Sequence, residues 1–139
     1  MATKLNRSVT LNSGVSLVKL QNIALSGASG TYTTATIQNY GVTRIVSTGS
    51  GAGWSVKLAA PVVGVEKRIV VTQRSTAPII IYTNSTAVTI GGTTNNNITF
   101  STGGAGAERA IHLIGVSTSA WSLLAKSTGA SLAASTSPF

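Results

Sequence analysis

Short runs of β-branched and aromatic residues, each broken by glycine, serine or asparagine, set the main limit on what this chain can fold into. Runs of this length are too brief for amphipathic helices and read as strands joined by turns. The expected strands cover residues 8–12, 15–20, 32–39, 43–48, 54–58, 67–73, 79–83, 87–90, 97–101, 110–116 and 121–125. Asn39-Tyr40-Gly41, the glycine-rich segment 49–53, Thr83-Asn84-Ser85 and Gly91-Gly92 supply residues that tolerate positive φ, so they mark the breaks. Pro61 and Pro78 lack an amide donor and belong at strand starts or edges. Near the C-terminus, 111–116 and 121–124 flank Ser117-Thr118-Ser119, which predicts a closing hairpin in the core. So many short strands cannot hide their apolar faces in one flat sheet. The expected fold is all-β, an antiparallel β-sandwich or jelly-roll. Residues 1–30 read as an extended N-terminal arm, 31–126 as the sandwich domain and 127–139 as a low-complexity C-terminal tail. VTIGG and ITFSTGG echo each other faintly, but no solenoid period stands out and a β-helix is not expected.

Charge is distributed unevenly along these strands. The stretch 78–104, PIIIYTNSTAVTIGGTTNNNITFSTGG, contains no Asp, Glu, Lys, Arg, His or Cys. Charged residues make up only 9% of the chain, against roughly a quarter in ordinary globular proteins, so hydroxyls and amides must keep it soluble. Low charge beside 42% hydrophobic residues leads us to expect an oligomer whose partner subunits cover apolar surface. What charge there is has one sign: ten Lys and Arg stand against Glu66 and Glu108, for a net charge of +8. An acidic partner is implied. The bases are scattered singly, not clustered or interleaved with aromatics, so nucleic acid is not the expected partner. No run approaches the roughly 20 apolar residues of a membrane helix, so no membrane is expected. The start, MATKLNRSVTLNSG, lacks the apolar run of roughly 7–15 residues of a secretory signal, and synthesis in the cytoplasm is expected. With no cysteine, disulfides and thiolate metal sites are excluded.

Catalysis needs an acid or base beside a nucleophile, and the stock here is nearly empty. His112 is the sole histidine. Alternation puts Ile111 and Leu113 on one face and Ala110, His112 and Ile114 on the other, so His112 reads as a strand histidine hydrogen-bonded at an interface. There is no Asp or Cys to complete a triad or a metal shell around it. Glu66 can reach Arg68 on its own face of a strand, and Glu108-Arg109 reads as a loop pair. Glu66 and Arg68 are subunit-interface candidates, with Phe139 at the end of the tail as a third. The glycine clusters 49–53 and 103–106 lack the Lys-Ser/Thr and helix of a phosphate loop and read as plain loops. Trp54 and Trp121 read as core. No catalytic residue, metal ligand or cofactor is expected, and the chain reads as a non-enzyme.

The segment WSVKLAAPVVGVEKRIVVTQRSTAPIIIYTNSTAVTIGG, with NNNITFSTGGAGAERAIHLIGVSTSAWSLLAKSTG, resembles small structural proteins on the outside of tailed-bacteriophage virions. The resemblance lies in Leu58 to Pro61, Gly64, the basic run Arg68 to Gln73, the turn Val88 to Gly92 and the closing Trp121 to Leu124, and it spans about residues 54–128. It implies a sandwich or jelly-roll subunit, often trimeric, that serves as a capsid decoration (cement) protein. The major capsid protein would be its partner, on the outer capsid surface, after synthesis in the host cytoplasm. The alternative it leaves open is a tail-fibre or head-fibre module that binds a host surface glycan, for which Tyr82 with Asn95, Asn96 and Asn97 is the candidate patch. Residues 1–53 carry no part of the resemblance. On charge, Lys4, Arg7 and Lys19 are the expected capsid contacts.

Overall fold

The computed structural model describes residues 19–26, 32–48, 53–73, 77–92, 94–101 and 107–134. Among them every regular element is a strand: β1 (Leu20–Leu25), β2 (Tyr32–Ile37), β3 (Gly41–Ser47), β4 (Trp54–Leu58), β5 (Glu66–Gln73), β6 (Ile79–Thr83), β7 (Thr89–Ile90), β8 (Asn97–Phe100), β9 (Ala107–Ser117), β10 (Ala120–Lys126) and β11 (Ala130–Ala133). They form two mixed sheets. Sheet A runs β1-β3-β5-β9-β10-β7 and sheet B runs β11-β8-β6-β4-β2.

The pairing corrects the expectation of an antiparallel fold. Pairs β1/β3, β3/β5, β2/β4 and β4/β6 are parallel, whereas a jelly-roll is built from antiparallel strands. A parallel pair needs a crossover of a dozen or more residues. In these four pairs the crossover is a strand of the other sheet, whereas the fifth parallel pair, β7/β10, is connected through β8 and β9. The chain alternates A, B, A, B from β1 to β6 and so winds like a solenoid, laying Leu20 beside Val42 and Trp54 beside Ile79. From β8 onward it doubles back, and β8, β9 and β11 join their sheets antiparallel. The winding shows no period in the sequence because its offsets differ: Leu20 to Val42 is 22 residues, Gly41 to Lys67 is 26.

Strands also occur within the segments read as arm and tail. Leu20–Leu25, placed in the arm, is an integral strand whose Ile23 and Leu25 are buried. Ala130–Ala133, placed in the tail, pairs with β8 and buries Ala130. The remainder of the arm expectation, residues 1–18 and 27–30, and Phe139 lie outside the described residues. Glu108-Arg109, expected in a loop, belongs to β9.

Period-two alternation decides which side chains go inward. In sheet B the inward rungs are Trp54–Ile79–Phe100–Ala130 and Val56–Ile81–Ile98–Leu132. In sheet A they include Ile23–Ile45–Val71 and Thr43–Ile69–Ile111. These residues, Leu132 at its margin and the polar Thr43 apart, belong to one apolar cluster that draws on both sheets and includes Trp121 and Leu113. Full burial of each large side chain contributes about 1.5–3 kcal/mol. The expected hairpin is present: Ser117 pairs with Ala120 around Thr118-Ser119, and Trp121 is fully buried.

Two glycines are fixed by close approach. Gly41 opens β3 at φ 68°, and a methyl group there would strike the carbonyl of Lys19. At Gly115 a methyl would strike the Val62 carbonyl, in the turn held by Gly64 N–H to Gly115 O at 2.8 Å and Gly115 N–H to Val65 O at 3.0 Å.

Candidate functional site: the outer face of sheet A

The residues that β3, β5 and β9 turn away from the core include Arg44, Glu66, Arg68 and His112. Register sets them in rows across the sheet. One row is Val42–Arg68–His112–Ala125, and the next is Asn22–Arg44–Val70–Ala110. Arg44 and Arg68 are exposed. Glu66 lies opposite Ile114, one pleat from His112. Its carboxylate meets His112 Nε2 at 2.8 Å. The pairing with Arg68 expected from sequence is therefore replaced by a diagonal cross-strand pair. His112 does face outward with Ala110 and Ile114, and its hydrogen bond is to Glu66.

Small residues beside these large ones open a trough. Arg68, Val70, Ala110, Ile111, His112, Ala125, Lys126 and Ser127 line a hollow of about 180 Å³. Ala110 and Ala125 leave it open, because their neighbours in the rows are longer. The irregularity between Leu123 and Ala125 turns Leu124 out to solvent and brings Ala125 opposite His112. Ala110 N–H donates to Ser127 Oγ at 3.0 Å and Ser127 N–H to Ala110 O at 2.9 Å, which ties the end of the trough. Lys126 Nζ donates to Ala130 O at 3.0 Å, leaving further ammonium protons available. A second, wider hollow of about 560 Å³, lined by Thr89, Gly91, Gly92, Val116, Ala120, Trp121, Ser122 and Leu123, holds no charged side chain.

A polar group that sequence reasoning passed over lies on the inner face. Lys67 is fully buried. Its Nζ donates to Tyr40 O at 3.0 Å and to Thr43 Oγ1. Thr43 in turn donates to Gln21 Oε1 at 2.8 Å, an oxygen that also accepts from Gln38 N–H, while Gln21 Nε2 donates to Thr36 O. Burial lowers the ammonium from its ordinary 10.5 to about 8. The network joins three successive passes of the winding. Its signal was available in the alternation of GVTRIVS and EKRIVVTQ, which puts Thr43 and Lys67 on the apolar faces of their strands.

The remaining expected residues scatter. Lys4, Arg7 and Phe139 lie outside the described residues. Lys19 is exposed, with Nζ 3.3 Å from Tyr40 Oη and 5.7 Å from the ring centroid. Trp54 and Trp121 are core residues, as expected. Tyr82 and Asn97 are cross-strand neighbours, but Asn96 and Asn97 are buried, so the Asn-rich patch offers few exposed amides. Among the described residues no three His, Asp or Glu side chains stand together as metal ligands, and no helix is long and apolar enough to cross a membrane. No family model, curated protein or solved structure matches the chain.

Proposed function

We propose that the chain is a non-enzymatic structural protein of a phage virion, a decoration or cement protein that binds the outer capsid surface and stabilises the head. The observation that carries this reading is the outer face of sheet A. There Arg44 and Arg68 stand exposed, with no ion pair among the described residues, on a chain of net charge +8. A surface of that kind is steered onto an acidic one. On this reading the two sheets pack as a sandwich, three copies form a trimer, and the N-terminal arm with Lys4, Arg7 and Lys19 extends across neighbouring major capsid protein subunits. Modest contacts count because the attachment is repeated and multivalent. The fibre-adhesin alternative draws less support, since the amides it would use at Asn96 and Asn97 are buried.

Sedimentation of the purified protein with expanded capsids that lack it tests the proposal. Saturation at many copies per particle, with improved heat resistance of the shell, is the expected result. Binding at a few copies, or none, would move the protein to a fibre and make glycan binding the next question.

A further inference from the structure

The trough on sheet A combines two features that a recognition site for one kind of side chain requires. Its interior is apolar, with Val70, Ala110 and Ala125 between the strands, and its rim is cationic, with the exposed Arg68 among its lining residues and Arg44 one row away, while the Lys126 ammonium is held by Ala130 O in sheet B. The nearest described carboxylate, Glu66, is already held by His112 at 2.8 Å and so leaves Arg68 uncompensated. The other acid, Glu108, belongs to the far end of β9, opposite Thr72. At about 180 Å³ the hollow is smaller than the roughly 300–1,000 Å³ typical of cofactor and drug-sized ligand sites. It suits one or two side chains.

We infer that this trough is a carboxylate-recognition site that takes an acidic residue flanked by a branched apolar one from an extended segment of the partner. The apolar group fills the space over Val70, Ala110 and Ala125. The carboxylate is held by the Arg68 guanidinium, whose planar fork matches its two oxygens. The Glu66–His112 pair forms a wall: it fixes the imidazole and keeps the Glu66 carboxylate from occupying Arg68. The partner named here, the capsid surface, rests on the function proposed above. The site itself does not.

Two experiments separate these levels. In the first, the full chain labelled with 15N is titrated with N-acetyl-leucine, which carries a carboxylate beside a branched apolar group, and with N-acetyl-leucinamide, which lacks the charge. Saturable shifts at the amides of Ala110, His112 and Lys126, about tenfold tighter for the carboxylate, are expected. They are lost in Arg68→Gln and, by filling, in Ala110→Leu, both at outward positions where the fold is retained. No saturable shift, equal response to the two probes, or a response unchanged in Arg68→Gln overturns the inference. In the second, the same variants are sedimented with capsids. Loss of shell binding in parallel with loss of probe binding supports the site as the capsid contact. Probe binding without any shell binding contradicts the virion proposal and the partner assignment together, while full shell binding by both variants overturns the trough as the contact and leaves the virion proposal standing.

Discussion

The outer faces of the two sheets are made by the same alternation and differ in almost every other respect. Sheet A presents Arg44, Arg68, Glu66 and His112 along its central strands. On sheet B the outward register rows are Ser55–Ile80–Thr99–Ser131 and Lys57–Tyr82–Asn97–Ala133, with Asn97 buried and Lys57 as the one charged member. The charge-free stretch 78–104 explains this, because it supplies β6 and β8 at the middle of sheet B. Inward, the difference vanishes, since both sheets contribute to one apolar cluster. A chain can therefore keep a common core while reserving one outer face for charge and leaving the other inert.

The common core gives the largest expected effects. Phe100→Ala in sheet B and Ile45→Ala in sheet A should cost about 3–5 and about 2–5 kcal/mol. Denaturant unfolding of each variant should remain a single transition. Two separate transitions would break the picture of sheets that share one interior.

Next comes the buried amine. Thr43→Val removes an acceptor from Lys67 and should cost about 1–3 kcal/mol at neutral pH, whereas Lys67→Met, which removes the charge itself, should be neutral or stabilising. The sign of the pH dependence follows from the lowered value. Between about 8 and 10.5 the folded chain has released the Lys67 proton and the unfolded chain still holds it, so stability rises with pH, by up to about 1.4 kcal/mol per pH unit. Below pH 8 both states are protonated and the slope vanishes. Chemical unfolding from pH 7 to 10.5 should show this rise in the wild type and its absence in Lys67→Met.

The arm and the exposed pair are expected to matter less. A Lys4, Arg7 and Lys19 triple alanine variant should bind shells several-fold more weakly and with a shallower salt dependence; unchanged affinity and salt response would remove the arm from the contact. For Glu66 and His112, a double-mutant cycle in unfolding should give a coupling below about 1 kcal/mol, since both side chains reach solvent.

Strand positions were legible because burial obeys local alternation: Trp54–Leu58 and Ile79–Thr83 fall where the sequence pattern puts them. The outward setting of His112 was legible for the same reason. Which strands pair was not, because parallel and antiparallel ladders use the same alternation, and the choice here depends on crossovers through the opposite sheet. Leu20–Leu25 was missed because LQNIAL lacks β-branched density and becomes a strand only against Val42–Ser47. The Glu66–His112 pair joins residues 46 apart in sequence, so it follows from the β5/β9 register and from nothing local. The trough likewise needs Ala110 and Ala125 to meet across a register irregularity.

The decisive measurement is a sedimentation titration on capsids that compares two variants with the same total change in charge. Arg44→Glu with Arg68→Glu alters the outer face of sheet A, and Lys57→Glu with Thr99→Glu and Ser131→Glu alters that of sheet B. Capsid attachment through sheet A predicts that the first loses at least about tenfold in affinity at low salt and the second stays within about twofold. Equal losses in the two would contradict it and reduce the attraction to net charge alone.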